Sequence, residues 1–212
     1  MTNGNALKLL MLASSYPRND EDSASVFLRH LAQSLSKRGM RVSVLAPADK
    51  DGETSIEGDI SVHRFQYLPA SLQQLAYGSG ILSNLKRNPW LWIEVPFFVV
   101  MMGYSLVRLL RKEKPDLVHA HWVLPQGLVA VLAKLLFKSP VITTAHGGDA
   151  FALKGGLMPK WKRLVLLKSN AWTSNTPSTS EAFGSNGLLP KPYIIPMGVD
   201  TKHFQSGQRP AA

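Results

Sequence analysis

Short apolar runs alternate with helical periodicity along the whole chain, and that alternation restricts the fold more than any other feature. Leu7–Ala13 is an apolar run followed by a polar loop, Ser14–Ser25. Val26, Phe27, Leu31 and Leu35 then recur at helical spacing behind a candidate N-cap at Ser23, predicting a helix of about fifteen residues. Lys37-Arg38 and Gly39 close that helix, and Arg41–Ala46 is the next strand, ended by Pro47. This completes one β-α-β unit. Further strands are expected at Ile60–Gln66, Asp116–Ala120, Val141–Ala145, Ala171–Ser174 and Tyr193–Ile195. Helices are expected at Trp90–Lys112, with a kink at Pro96, and at Leu128–Phe137, Lys160–Lys168 and Ser178–Phe183, the last capped by serine. Strands alternating with helices mean α/β: a Rossmann-like, doubly wound, mostly parallel sheet.

The intervening stretches carry less pattern. Asp49–Gly58 reads as a turn-rich loop, and Tyr67–Asn88, with Gly78 and Gly80, as a long functional loop or short helical pieces. Glu94 and Glu113 read as helix-surface charges. The Trp90–Leu110 stretch is apolar but interrupted by Glu94, Pro96, Gly103 and Arg108, which favours a crossover helix over a membrane span.

The candidate chemistry lies at Val141-Ile-Thr-Thr-Ala-His-Gly-Gly-Asp-Ala-Phe151. A buried parallel strand there would deliver His146 to the carboxyl end of the sheet, where open α/β folds bind ligands. Gly147 and Gly148 would let the backbone turn sharply and approach a ligand closely. A structural, hydrogen-bonded histidine in a strand-ending turn fits the local pattern equally well. His119 and His121 stand two apart on a strand, so they share a face. With His146 and Asp149 they could form a metal set for hydrolysis, but an H-x-H on a buried strand more often serves packing, and no metal site is expected.

Composition narrows the classes. Hydrophobic residues make up 45% and charged residues 18% of 212, which describes a globular chain with a substantial core. The absence of cysteine rules out disulfides and thiolate metal sites and favours a reducing compartment. A formal charge of +10 favours anionic partners. No basic-aromatic strand face or helix-turn-helix pattern accompanies it, so nucleic acid is not expected. The loop after the first strand contains no glycine, which excludes the G-x-G-x-x-G dinucleotide fingerprint; no cofactor is expected. An anion could still meet the helix N-terminus near Ser23–Val26. Trp90 and Trp92 beside Lys86 and Arg87 leave peripheral contact with an anionic membrane open.

Several segments, in order, carry a family resemblance. They are Ser14-Ser-Tyr-Pro17, Phe27-Leu-Arg-His-Leu-Ala-Gln-Ser-Leu35, Gly39-Met-Arg-Val-Ser-Val-Leu-Ala-Pro47, Pro115-Asp-Leu-Val-His-Ala-His121, Thr144-Ala-His-Gly-Gly-Asp149 and Ile195-Pro-Met-Gly-Val-Asp200. The chain resembles the N-terminal domain of the family 4-like (group 1) retaining glycosyltransferases of GT-B fold. The resemblance implies an acceptor-side domain over residues 1–204 and a linker over 205–212. A second Rossmann-like domain, carrying E-x7-E carboxylates and most of the nucleotide-sugar site, would follow, leaving this chain inactive alone. It implies a catalytic role for His146, which would hydrogen-bond a sugar hydroxyl or carry partial positive charge at the cleft rim. It also implies donor- or acceptor-binding roles for Ser23, Ser25, His121, Gly147, Gly148 and Asp149. Asp22-Ser23-Ala24 stands where the family commonly has paired glycines, and Met197 where it usually has asparagine. The implied partners are a nucleotide-sugar donor and a glycan or lipid-linked acceptor, in the cytoplasm or peripheral on the inner face of the membrane. The readings that compete with it are the metal-assisted hydrolase using His119, His121, His146 and Asp149, and a non-catalytic ligand-binding module.

Overall fold

The computed structural model describes residues 6–49, 54–152, 154–184 and 189–198. The tail at 205–212, the boundary proposed at 204 and the end of the last motif, Val199 and Asp200, lie outside them. Among the described residues eight strands form one sheet: β1 (Lys8–Leu12), β2 (Arg41–Pro47), β3 (Ser55–Glu57), β4 (Ile60–Phe65), β5 (Leu117–His121), β6 (Val141–Ala145), β7 (Ala171–Ser174) and β8 (Tyr193–Ile194). Their order is β3-β4-β2-β1-β5-β6-β7-β8. Every pairing is parallel except β3 with β4. The doubly wound Rossmann-like sheet is therefore present.

Strand residues alternate between two helical layers, as a period of two requires. Leu9, Met11, Val42 and Val44 pack against Leu28 and Ala32 of α1 (Val26–Ser36). Leu10, Leu12 and Leu45 face the other way, onto a layer that includes α2 (Ile81–Arg87), α3 (Glu94–Glu113), α4 (Leu128–Phe137) and α6 (Met158–Lys168). Two five-residue helices, α5 (Gly147–Phe151) and α7 (Pro177–Glu181), follow β6 and β7.

Several local expectations change. Strand β3 lies inside the stretch read as a loop. Helix α1 has eleven residues, and Ser23 is not its cap. Ser25 occupies that position in a left-handed conformation (φ 55°) with no side-chain capping bond, so the helix starts later than its polar prelude implied. Gly39, at φ 85°, takes the left-handed turn expected of it. Pro96 produces no kink. A separate 3₁₀ segment, Pro89–Ile93, precedes α3, so Pro96 falls in the first turn of α3, where a missing N–H leaves no helical bond unmade. Thr176, rather than a serine, caps α7 by accepting the Thr179 N–H at 3.1 Å. The segment after β4 resolves into a 3₁₀ turn, Ala70–Leu72, and α2.

Neither glutamate is a plain surface charge. Glu94 is buried, and its Oε2 accepts the backbone N–H groups of Gln74 (3.2 Å) and Leu75 (3.1 Å). Glu113 accepts the Ser43 hydroxyl at 2.7 Å and pairs with His63 at 2.7 Å. The Pro89–Glu113 stretch is long and apolar enough to cross a membrane by length and composition. Here Glu94, Phe98, Met102, Leu106 and Leu110, each four residues apart, are buried on its inward side.

Candidate functional site

In the middle of the sheet β1 lies between β2 and β5, so the chain leaves these neighbours toward opposite edges. Such a switch point opens a crevice beyond the carboxyl ends of the strands. The loop after β1 (residues 13–25) and the segment after β5 (Trp122–Gly127) flank it.

On the α1 side of the crevice three imidazoles come together. The pairing Met11↔His119 turns His119 and His121 toward α1, and their ring centroids are 4.1 Å apart. His121 lies 5.7 Å from His146, which follows β6. His146 is only 7% exposed and is packed by Phe27 (5.4 Å) and Trp122 (4.8 Å). It is therefore enclosed rather than at an open rim. His119 Nε2 meets the Thr144 hydroxyl at 2.7 Å, which in turn meets Thr173 at 2.7 Å. Both ring nitrogens of His121, and Nε2 of His146, have no hydrogen-bond partner. Burial pulls the His119 and His146 pKa values down to about 4, and His121 well below its ordinary value. The stack is neutral at pH 7. This favours hydrogen bonding by His146 over the cationic role.

Asp149 joins the segment after β5 to the residue after β6. Its Oδ2 accepts the backbone N–H of Val123 at 2.9 Å and of His146 at 3.1 Å. It is 5% exposed, and burial pushes its carboxyl up to about 7. The Lys162 ammonium donates to the carbonyl oxygens of Asp149 and Ala152. Gly147 and Gly148 open α5 without left-handed angles, so they do not supply the sharp turn expected of them. A Cβ at Gly147 would meet nothing within 4 Å, and at Gly148 only Leu82 Cδ1 at 3.7 Å. The carboxylate of Asp149 is committed to these two amides. Among the described residues no three His, Asp or Glu side chains are arranged to hold a metal ion, so the hydrolase reading has no site.

The crevice widens into a cavity of about 600 Å³. Ser23, Ser25 and Asp149 line it; His121, His146, Gly147 and Gly148 are not among its lining residues. Ser25 is held by the Ser15 hydroxyl at 2.7 Å. Sequence reasoning missed Gln126, Trp122 and Lys162, which also line the cavity. Gln126 is fully buried, and neither its Oε1 nor its Nε2 has a partner. Trp122 holds φ 78° and ψ 137°, a conformation costing about 1–3 kcal/mol for a residue with a Cβ. Its N–H donates to Thr144 O and its carbonyl accepts from Gly127, both at 3.0 Å, which fixes it in place. Gly127 in turn has no room for a side chain: a Cβ would sit 2.7 Å from Val165 Cγ1. The signal that could have found Trp122 and Gln126 is position, since Trp122-Val-Leu-Pro-Gln-Gly127 directly follows a central strand.

A family model described as Glycosyltransferase Family 4 matches residues 24–203. TuaC of Bacillus subtilis, a protein named for a proposed glycosyltransferase role in teichuronic acid biosynthesis, is 22% identical over 95% of this chain and 52% of its own length. Among solved structures, Anabaena HepE in complex with UDP-glucose superposes with a TM-score of 0.60 at 18% identity, over 95% of this chain and 46% of HepE. The UDP-GlcNAc 2-epimerase of Neisseria meningitidis bound to UDP-GlcNAc gives 0.50 at 16%, over 89% and 45%. The chain thus spans about half the length of the relatives it matches. These structures establish the fold, one Rossmann-like half of the GT-B class, which transferases and epimerases share.

Proposed function

The chain belongs to glycosyltransferase family 4, and on that premise we propose that it is the acceptor-side half of a retaining glycosyltransferase. The donor is a nucleotide sugar, read as a UDP-sugar because HepE is described with UDP-glucose. A second Rossmann-like domain, beyond residue 204, would hold most of it, and the acceptor is a glycan or a lipid-linked glycan. The observation that carries this reading is the convergence of Ser23, Ser25 and Asp149 on one cavity directly beside the neutral His146.

Asp149 is the positioning residue: by accepting the His146 N–H it sets where the imidazole stands. His146, with an unpartnered Nε2, is the group offered to a sugar hydroxyl as the donor's leaving group departs. Such a bond strengthens in the transition state and so acts on rate. Stabilising the departing nucleoside diphosphate falls to the second domain, so this chain alone turns nothing over.

The protein rests peripherally on an anionic membrane at the inner face. Trp90, Ile93, Phe97, Val100 and Tyr104 recur at helical spacing on one side of the Pro89–Glu113 stretch and are all at least 49% exposed. Lys86 and Arg87 precede this strip, while Arg108 and Arg111 continue it; all four are exposed. An apolar strip bounded by cations complements an anionic lipid surface.

The test is incubation of the complete enzyme with a panel of UDP-sugars and lipid-linked acceptors, following UDP release and, by NMR, the anomeric configuration of the product. Retained configuration is expected, with no release by residues 1–212 alone. Inverted product would remove the retaining mechanism, and turnover by the isolated chain would remove the need for a second domain.

A further inference from the structure

The cavity is apolar along one side and polar at one end. Leu75, Leu85, Val95, Phe98 and Leu128 supply apolar wall, drawn from the segment after β4, from α2, from α3 and from α4. Its volume, about 600 Å³, lies in the range of ligand-sized pockets, roughly 300–1,000 Å³. The polar end carries Ser23, Asp149, Lys162 and Gln126. One feature there asks for a ligand. The Gln126 amide, 0% exposed, has neither donor nor acceptor satisfied, although buried amides ordinarily find partners. Lys162, 5% exposed, reaches the same lining with its ammonium already donating to the Asp149 and Ala152 carbonyl oxygens. Trp92 (50% exposed) and Trp161 (40% exposed) line the cavity and also reach the surface. Trp92 lies within the 3₁₀ segment that also carries Trp90 and Ile93 of the exposed apolar strip.

Resting on the transferase reading, we propose that this cavity holds the apolar chain of an amphiphilic, lipid-linked acceptor, admitted past Trp92 and Trp161, with the Gln126 amide hydrogen-bonding the polar group at the head of the chain. A free sugar would leave the wall of Leu75, Leu85 and Phe98 facing hydroxyls. A purely apolar molecule would leave the Gln126 amide unsatisfied. An amphiphile satisfies both ends, and the basic chain favours one with an anionic head.

The experiment is titration of the full 212-residue chain with octyl, decyl and dodecyl phosphate below their critical micelle concentrations, read by tryptophan fluorescence and calorimetry. Affinity is expected to rise about fourfold per added methylene, the increment for moving a CH2 out of water. Val95→Trp, which fills the cavity, abolishes that dependence; Ile81→Trp, at the more open start of α2, serves if the first variant does not fold. Gln126→Leu weakens binding about tenfold and leaves the unfolding temperature unchanged or raised, because the amide makes no bond in the protein itself. A structural glutamine would instead lower the unfolding temperature. Affinity independent of chain length, unchanged affinity in the filled variants, or binding of free glucose alone would each overturn the proposal. None of these outcomes touches the transferase reading, which fails separately if the complete enzyme consumes no nucleotide sugar.

Discussion

The histidine stack and the cavity occupy the carboxyl ends of the same central strands, yet they are built in opposite ways. The stack takes its three rings from β5 and the residue after β6, with α1 and Trp122 closing over them. It is tight and polar. The cavity takes its walls from six separated stretches, the loop after β1, the segment after β4 with α2, the start of α3, the turn after β5 with the first residue of α4, Asp149 of α5, and α6, and it is roomy and largely apolar. The contrast shows a division of labour. Strand ends fix a small reactive group to within a hydrogen bond, while the long crossover between β4 and β5 shapes the space in which a bulky partner lies. Each side should fail in its own way.

The largest effect is expected from His146→Ala in the complete enzyme. Loss of a transition-state hydrogen bond of about 2–4 kcal/mol lowers kcat by roughly two to three decades with less change in KM. Because the ring is buried against Phe27 and Trp122, the same change also costs about 1–3 kcal/mol of stability. Rates normalised to the folded fraction separate the two. A destabilised variant that transfers at the full rate would reduce the stack to packing.

Acid should expose the stack next. His119 and His146 sit at about 4 in the folded protein against 6.5 unfolded. As pH falls from 6.5 to 4 the unfolded chain therefore binds protons that the native state refuses, and stability falls. Asp149, raised from 3.8 to about 7, acts in the opposite sense, since its native carboxyl keeps a proton that the unfolded one has lost. Two histidines outweigh one acid, leaving a net loss of about 2–3 kcal/mol across that window. Asp149→Asn removes the opposing contribution, so chemical denaturation at several pH values should show a steeper acid slope in the variant. A slope unchanged by the substitution would mean that the Asp149 carboxyl is not raised in the fold, and an acid slope absent from both proteins would mean that the imidazoles are not buried as neutral groups.

These two regions were not equally legible in the sequence. Val141–Ala145 and its trailing His146 could be read because a β-branched run declares a strand locally, and period-two spacing alone puts His119 and His121 on one face. The doubly wound order followed from the same runs. What failed was whatever depends on partners distant in the chain. Glu94 looked like a surface charge because nothing nearby reveals that the amides of Gln74 and Leu75 come to it. Strand β3 has three residues, too few for any period, and exists because β4 offers an edge. Gly147-Gly148 looked like a turn, but glycine permits a left-handed angle without requiring one. Gln126 was invisible as a site residue because its significance is the lack of a partner, which only the packed structure displays.

Glu94 gives the cavity side its own test. It fastens the Gln74–Leu75 backbone to the start of α3, and Leu75 is part of the cavity wall. Glu94→Ala leaves the Gln74 amide without its acceptor and the buried Leu75 amide with only the Tyr67 hydroxyl, at 3.2 Å, and should cost about 1–3 kcal/mol in thermal or urea unfolding. Alkyl phosphate binding should weaken with it, whereas the acid slope set by the stack should stay as it was. Coupled loss of both would mean that the two regions form one cooperative unit.

The smallest effect concerns the outward side of α3, where the cavity's apolar character reaches the surface. Trp90→Ala combined with Phe97→Ala removes two side chains that are 79% and 49% exposed, so the unfolding temperature should barely move. Co-sedimentation with vesicles containing anionic lipid should weaken by about thirtyfold, since each of the two rings contributes on the order of one kcal/mol when it enters the interface. The exposed cations Lys86, Arg87, Arg108 and Arg111 add an electrostatic part that raised salt must screen, whatever the apolar residues do. Wild-type adsorption insensitive to salt and lipid charge would remove the membrane from this face. Adsorption that depends on charge but survives the double variant would assign it to the cations alone, leaving the apolar strip to some other partner.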